Sequence, residues 1–292
     1  MDHFFQWMQK IEIADSLADS IRLLPFLFLT YLLMELLEHS TGGKVKKRIR
    51  TAGTYGPLWG SLLGILPQCG FSASASSLYA GRVITVGTLF AVYLSTSDEM
   101  LPVLIAQSAG GWLIAKILVV KVAIAMISGF AAEWLYLHFF HKKEKEMDIH
   151  TICEEERCNC EDGILLSAFK HTIKIFLYLL FISVVLNSVI AGIGEEAVKS
   201  LFLDVPVLGG LIAALVGLIP NCASSVVITE LYLGGVITAG AMMAGLLVNA
   251  GIGLLVLFRL NRDVRQNAAI VASLYGIGVF WGVVIEVLGI TF

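Results

Sequence analysis

The sequence predicts an all-α integral membrane protein: two inverted-topology repeats of about five helical segments each, with paired broken-helix (re-entrant) hairpins meeting near the midplane. Three observations carry that expectation: an excess of apolar residues, apolar segments of two length classes, and an internal repeat. The 292 residues are 57% hydrophobic and 15% charged, where a soluble domain carries about 25% charged residues. So large an apolar surplus needs an apolar solvent, which is lipid. A formal net charge of -3 gives no sign of a nucleic-acid partner.

Ten apolar segments can be marked, at 20–39, 52–66, 69–80, 83–104, 113–139, 165–190, 205–219, 222–233, 236–257 and 268–290. A helix crossing the hydrocarbon needs about 20 residues. Six segments meet that length, and the four around Pro67 and Pro220 do not. Those four are expected to form two hairpins, because non-helical backbone at membrane depth survives only where protein or a watery cavity surrounds it. Residues 1–19 interleave His3, Phe4, Phe5, Trp7, Ile11 and Ile13 with Asp2, Lys10, Glu12, Asp15 and Asp19. That mixture suits an interfacial amphipathic helix rather than a cleavable signal.

Orientation follows from the Lys/Arg bias. Lys44, Lys46, Lys47, Arg48, Arg50, Arg82, the 141–164 loop, Lys170, Lys174, Arg259, Arg262 and Arg265 fall on one side, 15 of the 20 basic residues. That side is expected to be the cytoplasm of a bacterial inner membrane. Both termini, with Asp98, Glu99, Glu195, Glu196 and Asp204, then lie outside.

The repeat is the sharpest signal. Shifted by 153 residues, segment 64–104 falls on 217–257 without a gap, and 16 of 41 positions are identical. Shared Leu and Val are cheap in apolar sequence. Pro67/Pro220, Cys69/Cys222, Ser72/Ser225, Tyr79/Tyr232 and Thr85/Thr238 in register are not. The first copy starts after a basic loop and the second after an acidic one, so the copies are read as inverted. This is the plan of many secondary transporters, whose site lies where broken helices meet. The chain divides accordingly into 1–19, a first repeat 20–140, a cytoplasmic Cys/His linker 141–164, and a second repeat 165–292.

Each hairpin tip reads Pro, amide, Cys: Pro67-Gln68-Cys69 and Pro220-Asn221-Cys222. Proline stops the incoming helix, and the restarting helix offers free N–H groups and the positive end of its dipole. Hydroxyls follow at Ser72, Ser74, Ser76 and Ser77, and at Ser224, Ser225 and Thr229. The candidate substrate site is therefore Gln68, Cys69, Ser72, Asn221, Cys222, Ser224 and Ser225. The paired thiols suit a soft ion, although a small apolar filler is the plain alternative for each Cys. Thr229, Glu230 and Asn249 are the candidate coupling or pathway residues, since polar groups inside spans usually face a cavity. In the linker, His150, Cys153, Cys158 and Cys160 could together ligate zinc or another soft metal; a solvated charged linker is the rival reading. Gly-rich stretches such as Gly110-Gly111 are packing features, with no phosphate-loop lysine behind them.

The paired tips, the ten apolar segments and the Cys/His linker resemble the bacterial ten-transmembrane heavy-metal exporter family, whose members are labelled arsenic-efflux-like or manganese transporters. The resemblance implies export of a metal or metalloid ion by alternating access, with Gln68, Cys69, Asn221 and Cys222 at the site. The rivals are an ion-coupled oxyanion carrier, to which the amide-then-hydroxyl tips are similar, and a lipid or lipid-phosphate flippase. An enzyme is not expected, because the spans hold no His/Glu or Ser–His pairing. No cofactor is required; a bound soft or transition metal ion, such as zinc, manganese or an arsenical, is compatible with the candidate ligands. The expected partners are membrane lipid, the small ion and a second copy of the chain.

Overall fold

The computed structural model describes residues 24–25, 27–29, 31–32, 55–66, 69–97, 99–140, 164–193 and 209–292. The predicted interfacial helix and the linker cluster His150, Cys153, Cys158 and Cys160 lie outside them. Among the described residues every regular element is a helix. In chain order these are α1 (Gly56–Leu63), α2 (Cys69–Ala80), α3 (Val86–Ser95), α4 (Met100–Ala106), α5 (Gly111–Phe140), α6 (Ile164–Ile193), α7 (Gly209–Gly217), α8 (Cys222–Leu233), α9 (Ala239–Val248), α10 (Gly253–Leu260) and α11 (Val264–Val287). The described residues between 24 and 32 are helical as well.

Four stretches among the described residues are long and apolar enough to cross a membrane: Val86–Ala106, Gly111–Tyr136, Ala239–Leu260 and Val264–Val287. The first and third differ from expectation. Segments 83–104 and 236–257 were expected to be continuous helices, yet α3 ends at Ser95 and α9 at Val248, each followed by a short break before α4 and α10. A polar side chain stands at each break. Thr96 Oγ1 turns back onto Val92 O at 2.7 Å. Asn249 Oδ1 accepts the Gly251 N–H at 3.0 Å, and Gly251 sits at φ +51°, a conformation open to glycine.

Helices α7, α8, α9, α10 and α11 each begin 153 residues after the starts of α1, α2, α3, α4 and α5. Their packing follows the same offset. Helix α1 lies along α3, with Gly56 against Thr88 and Gly64 against Val92 and Ser95, so the two run parallel. Helix α5 returns antiparallel, with Gly129 on Gly87. In the later set, Gly217 meets Gly245 and Gly282 meets Gly240. Helices α2 and α8 pack on both sets: α2 on α3 and on α10, and α8 on α7 and α9 and on α4. Helices α3 and α9 also touch. Between α5 and α11, Trp281 Nε1 donates to Ser128 Oγ at 2.9 Å.

Helix starts are capped conventionally. Thr85 Oγ1 accepts from Thr88 N and Thr238 Oγ1 from Ala241 N. A carboxylate from the far helix adds to the first: Glu133 Oε2 accepts the Gly87 N–H at 2.9 Å, favourable at a helix N-terminus. Glu286 occupies the corresponding place beside Gly240.

The glycines allow this approach, because the helices meet by close packing rather than by burial from water. A Cβ on Gly87 would fall 2.5 Å from Gly129 O, and one on Gly240 would fall 2.5 Å from Gly282 O. Gly110 has nothing within 4 Å of such a Cβ. Gly87→Leu and Gly240→Leu should each destabilise the chain by at least the ~1–3 kcal/mol of ordinary overpacking, read as loss of the monodisperse peak after detergent extraction. Gly110→Ala should leave that peak unchanged.

Candidate functional site

Among the described residues, the apolar body is interrupted after α1, after α3, after α7 and after α9. Gly64, which directly follows α1, packs against Ser95, the last residue of α3. Gly253, the first residue of α10, packs against Ser72, one turn into α2. Gly217, which ends α7, lies against Gly245, one turn before the α9 break. Each tip thus sits beside the broken span of its own set, and α2 carries the first tip to the broken span of the other.

At the α2–α10 contact lies a buried hydroxyl cluster. Ser76 Oγ is 2.7 Å from each of Ser72 O, Tyr93 Oη and Gly253 O. Tyr93 Oη also reaches Gly253 O at 3.3 Å. Ser72, Ser76 and Tyr93 are all fully buried. Neighbouring Ser77 bonds Ala73 O at 3.1 Å and Tyr31 Oη at 3.4 Å. These hydroxyls tie α2 and α3 to the start of α10, and each finds its partner inside the protein.

The second hairpin tip is described in full from Leu218 to Asn221. Asn221 caps α8, its Oδ1 accepting from Ala223 N at 3.4 Å. Ser224 Oγ donates to Asn221 O at 2.7 Å, and Thr229 Oγ1 to Ser225 O at 2.7 Å. Ser224, Ser225, Thr229 and Asn249 are buried, and Glu230 is half-buried near the end of α8. Cys69 and Cys222 are the first residues of α2 and α8. Their side chains, and all of Pro67 and Gln68, lie outside the described residues. Among the described residues, no group of three His, Cys, Asp or Glu comes together as a metal site.

Two features escaped the sequence reading. Tyr93 looked like one more aromatic in an apolar run, and only the fold brings its hydroxyl to Gly253. Lys121 is fully buried in α5 and donates from Nζ to the carbonyl of Thr96 at the α3 break. A lysine within an apolar span was itself the available signal. Glu99 was placed at the outer mouth; the structure has it half-buried at the N-cap of α4, directly after the break.

With this geometry in hand, the family described as "Putative, 10TM heavy-metal exporter" matches residues 10–199, more than half of the chain. No curated protein and no solved structure matches it.

Ser76→Ala and Tyr93→Phe should each cost ~1 kcal/mol. Their effects should be less than additive in a double-mutant cycle of denaturant unfolding, because both serve Gly253 O. Strict additivity would mean that the cluster is not one network.

Proposed function

We propose that the chain, which belongs to the 10TM heavy-metal exporter family, is a secondary transporter in which two inverted copies of one helical unit enclose a midplane site and pass a metal or metalloid ion by alternating access. The observation that carries this is that α2 and α8 each pack on both sets, α2 on α3 and α10, and α8 on α9 and α4. It gives each hairpin tip a wall from its own copy and a wall from the other.

Inversion is supported by contacts at the two ends of α11, a helix of 24 residues and so about 36 Å long. The C-terminal end of α2 meets the start of α11 through Tyr79 Oη, which accepts from Gln266 Nε2 at 2.7 Å. The C-terminal end of α8 meets the other end, where Tyr232 Oη donates to Phe292 O at 3.3 Å. Equivalent helices ending at opposite ends of one span is what an inverted repeat requires. A re-entrant path for the first hairpin is supported by the contact of its tip with Ser95, which lies midway along the Val86–Ala106 span.

In this reading the passenger sits between the tips, on Gln68, Cys69, Ser72, Asn221, Cys222, Ser224 and Ser225, with Thr229, Glu230 and Asn249 along its path. Thiolates favour soft ions, and α1 and α7 end on carbonyls that favour cations. Rocking of one copy against the other would expose the site to each face in turn. The membrane is the bacterial inner membrane, with the 141–164 linker cytoplasmic, where its His150, Cys153, Cys158 and Cys160 would capture metal for export.

One observation favours an oxyanion instead. Helices α2, α8 and α10 all start at the interruptions, and helix starts favour negative charge. Flux into proteoliposomes of Zn²⁺, Mn²⁺, arsenite, arsenate and phosphate tests both. The metal reading expects Cys69→Ser and Cys222→Ser to lower cation or arsenite flux by at least the ~10-fold that loss of an outer-shell partner costs a metal site. The oxyanion reading expects arsenate or phosphate flux that ignores both cysteines and falls in Asn221→Ala. Flux at the level of empty liposomes across the panel would end the transport reading.

A further inference from the structure

The α2–α3 turn and the α8–α9 turn are built from the same backbone bonds. Gly81 N, Arg82 N and Val83 N donate to Ser77 O, Tyr79 O and Leu78 O at 2.9, 2.9 and 2.8 Å. Gly234 N, Gly235 N and Val236 N donate to Glu230 O, Tyr232 O and Leu231 O at 2.8, 2.9 and 2.9 Å. In each turn the second of these residues is left-handed, at φ +57° for Arg82 and +71° for Gly235. Glycine takes that conformation freely and arginine does not. The first turn therefore holds a strained side chain where its counterpart holds none. That side chain faces the later set of helices. The Arg82 guanidinium lies 5.5 Å over the Tyr79 ring, and its Nη2 is 3.5 Å from Gln266 Oε1 at the start of α11.

Gln266 is the hub of this contact. Its Nε2 donates to Tyr79 Oη at 2.7 Å, and its Oε1 accepts from Asn261 Nδ2 at 3.1 Å. Asn261 and Asn267 are buried and bonded to each other: Asn261 Nδ2 donates to Asn267 Oδ1, and Asn267 Nδ2 to Asn261 O, both at 2.7 Å. Asp263 Oδ1 accepts the Gln266 N–H at 3.1 Å. The Gln266 amide is thus fixed to the later set, with Nε2 directed at Tyr79 of the earlier one. The counterpart positions carry different chemistry. The residues 153 positions before Asn261, Asp263, Gln266 and Asn267 are Ser108, Gly110, Leu113 and Ile114. A leucine side chain cannot hydrogen-bond a tyrosine, and Tyr232 Oη donates instead to Phe292 O, at the end of its own set.

We propose that Tyr79, Arg82 and Gln266, braced by Asn261 and Asn267, form a latch between the two copies at one face, and that this latch holds the resting transporter closed there. The latch rests on the transport reading above. Rocking one copy against the other parts their contacts at one end while closing them at the opposite end. Two inverted copies with identical side chains would give equivalent end states. Here the Tyr79–Gln266 bond, with Arg82 beside it, must break for the α2 end to open. At the α8 end the position of Gln266 is held by Leu113, and opening there breaks no such bond. An equilibrium between two arrangements moves by the free energy that distinguishes them. The chain without its passenger therefore favours the arrangement closed at the α2 end.

The test is hydrogen–deuterium exchange of the full chain in lipid nanodiscs, followed at 81–85 and 261–263 on the latched end and at 234–238 and 108–110 on the other. Gln266→Leu, which installs the residue of the counterpart position, should speed exchange several-fold at 81–85 and 261–263 and slow it at 234–238 and 108–110. Tyr79→Phe should shift the four segments in the same directions, and serves should Gln266→Leu fail to give a monodisperse protein. Tyr232→Phe, whose bond stays within one set, should leave 81–85 and 261–263 unchanged. A merely structural role predicts faster exchange at the latched end with no slowing at the other, and that result would overturn the proposal. A reciprocal shift in Tyr232→Phe as large as that in Tyr79→Phe would overturn it too. In either case, wild-type flux of any member of the earlier panel would leave the transport reading standing. Wild-type flux at the level of empty liposomes would end that reading and the latch with it.

Discussion

A backbone N–H or C=O in hydrocarbon must find its partner inside the protein, and the arrangement of this chain follows from that constraint. Four interruptions would expose orphan groups at every helix end. The fold answers by placing each beside other protein. Asn249 turns onto the Gly251 N–H, and Asn221 caps α8. A break of this kind supplies polar atoms without charged side chains, which is how an apolar protein can offer a hydrophilic passenger something to hold.

The same economy governs the charges that are present. Glu133 lies at the start of α3 and Lys121 at its end. Both come from the antiparallel neighbour α5, and both complement the α3 dipole. Close glycine contacts set the helix spacing that lets these side chains reach, since Gly87 and Gly129 meet backbone to backbone. A larger residue there would move the ends of α3 and α5 apart and carry both charged contacts with it. Packing and electrostatics are therefore one design here, carried by small residues that contribute no charge.

Much of this was legible in the residues. The hairpin helices fall at 69–80 and 222–233, where apolar length and the flanking proline and glycine put them. The breaks after Ser95 and Val248 were not legible, because Leu, Val and Met run up to both and no proline marks the spot. At the second break the Asn249 amide takes the Gly251 N–H, while Thr96 at the first makes the same bond to the carbonyl four residues back that Thr229 makes inside the unbroken α8. Tyr93 illustrates a different limit. Its partner is 160 residues away in sequence, so only the packing of α2 on α10 gives its hydroxyl a purpose. The side chains of Cys69 and Cys222, the sharpest features of the sequence, belong to the part of the site that remains a proposal.

Ser128 and Trp281 are 153 positions apart and hydrogen-bonded to each other. In the inverted-repeat reading proposed above, a position that touches its own counterpart lies on the two-fold axis relating the copies. In a dimer of separate, identical half-length chains such a position would have to be self-complementary, serine on serine or indole on indole. Joined in one polypeptide, the two places can be filled independently, and here one supplies the donor and the other the acceptor. In that reading, joining the halves in one chain opens to mutation the one line of residues that symmetry would otherwise hold in pairs, and a transporter that must treat its two faces differently gains its first freedom along that line.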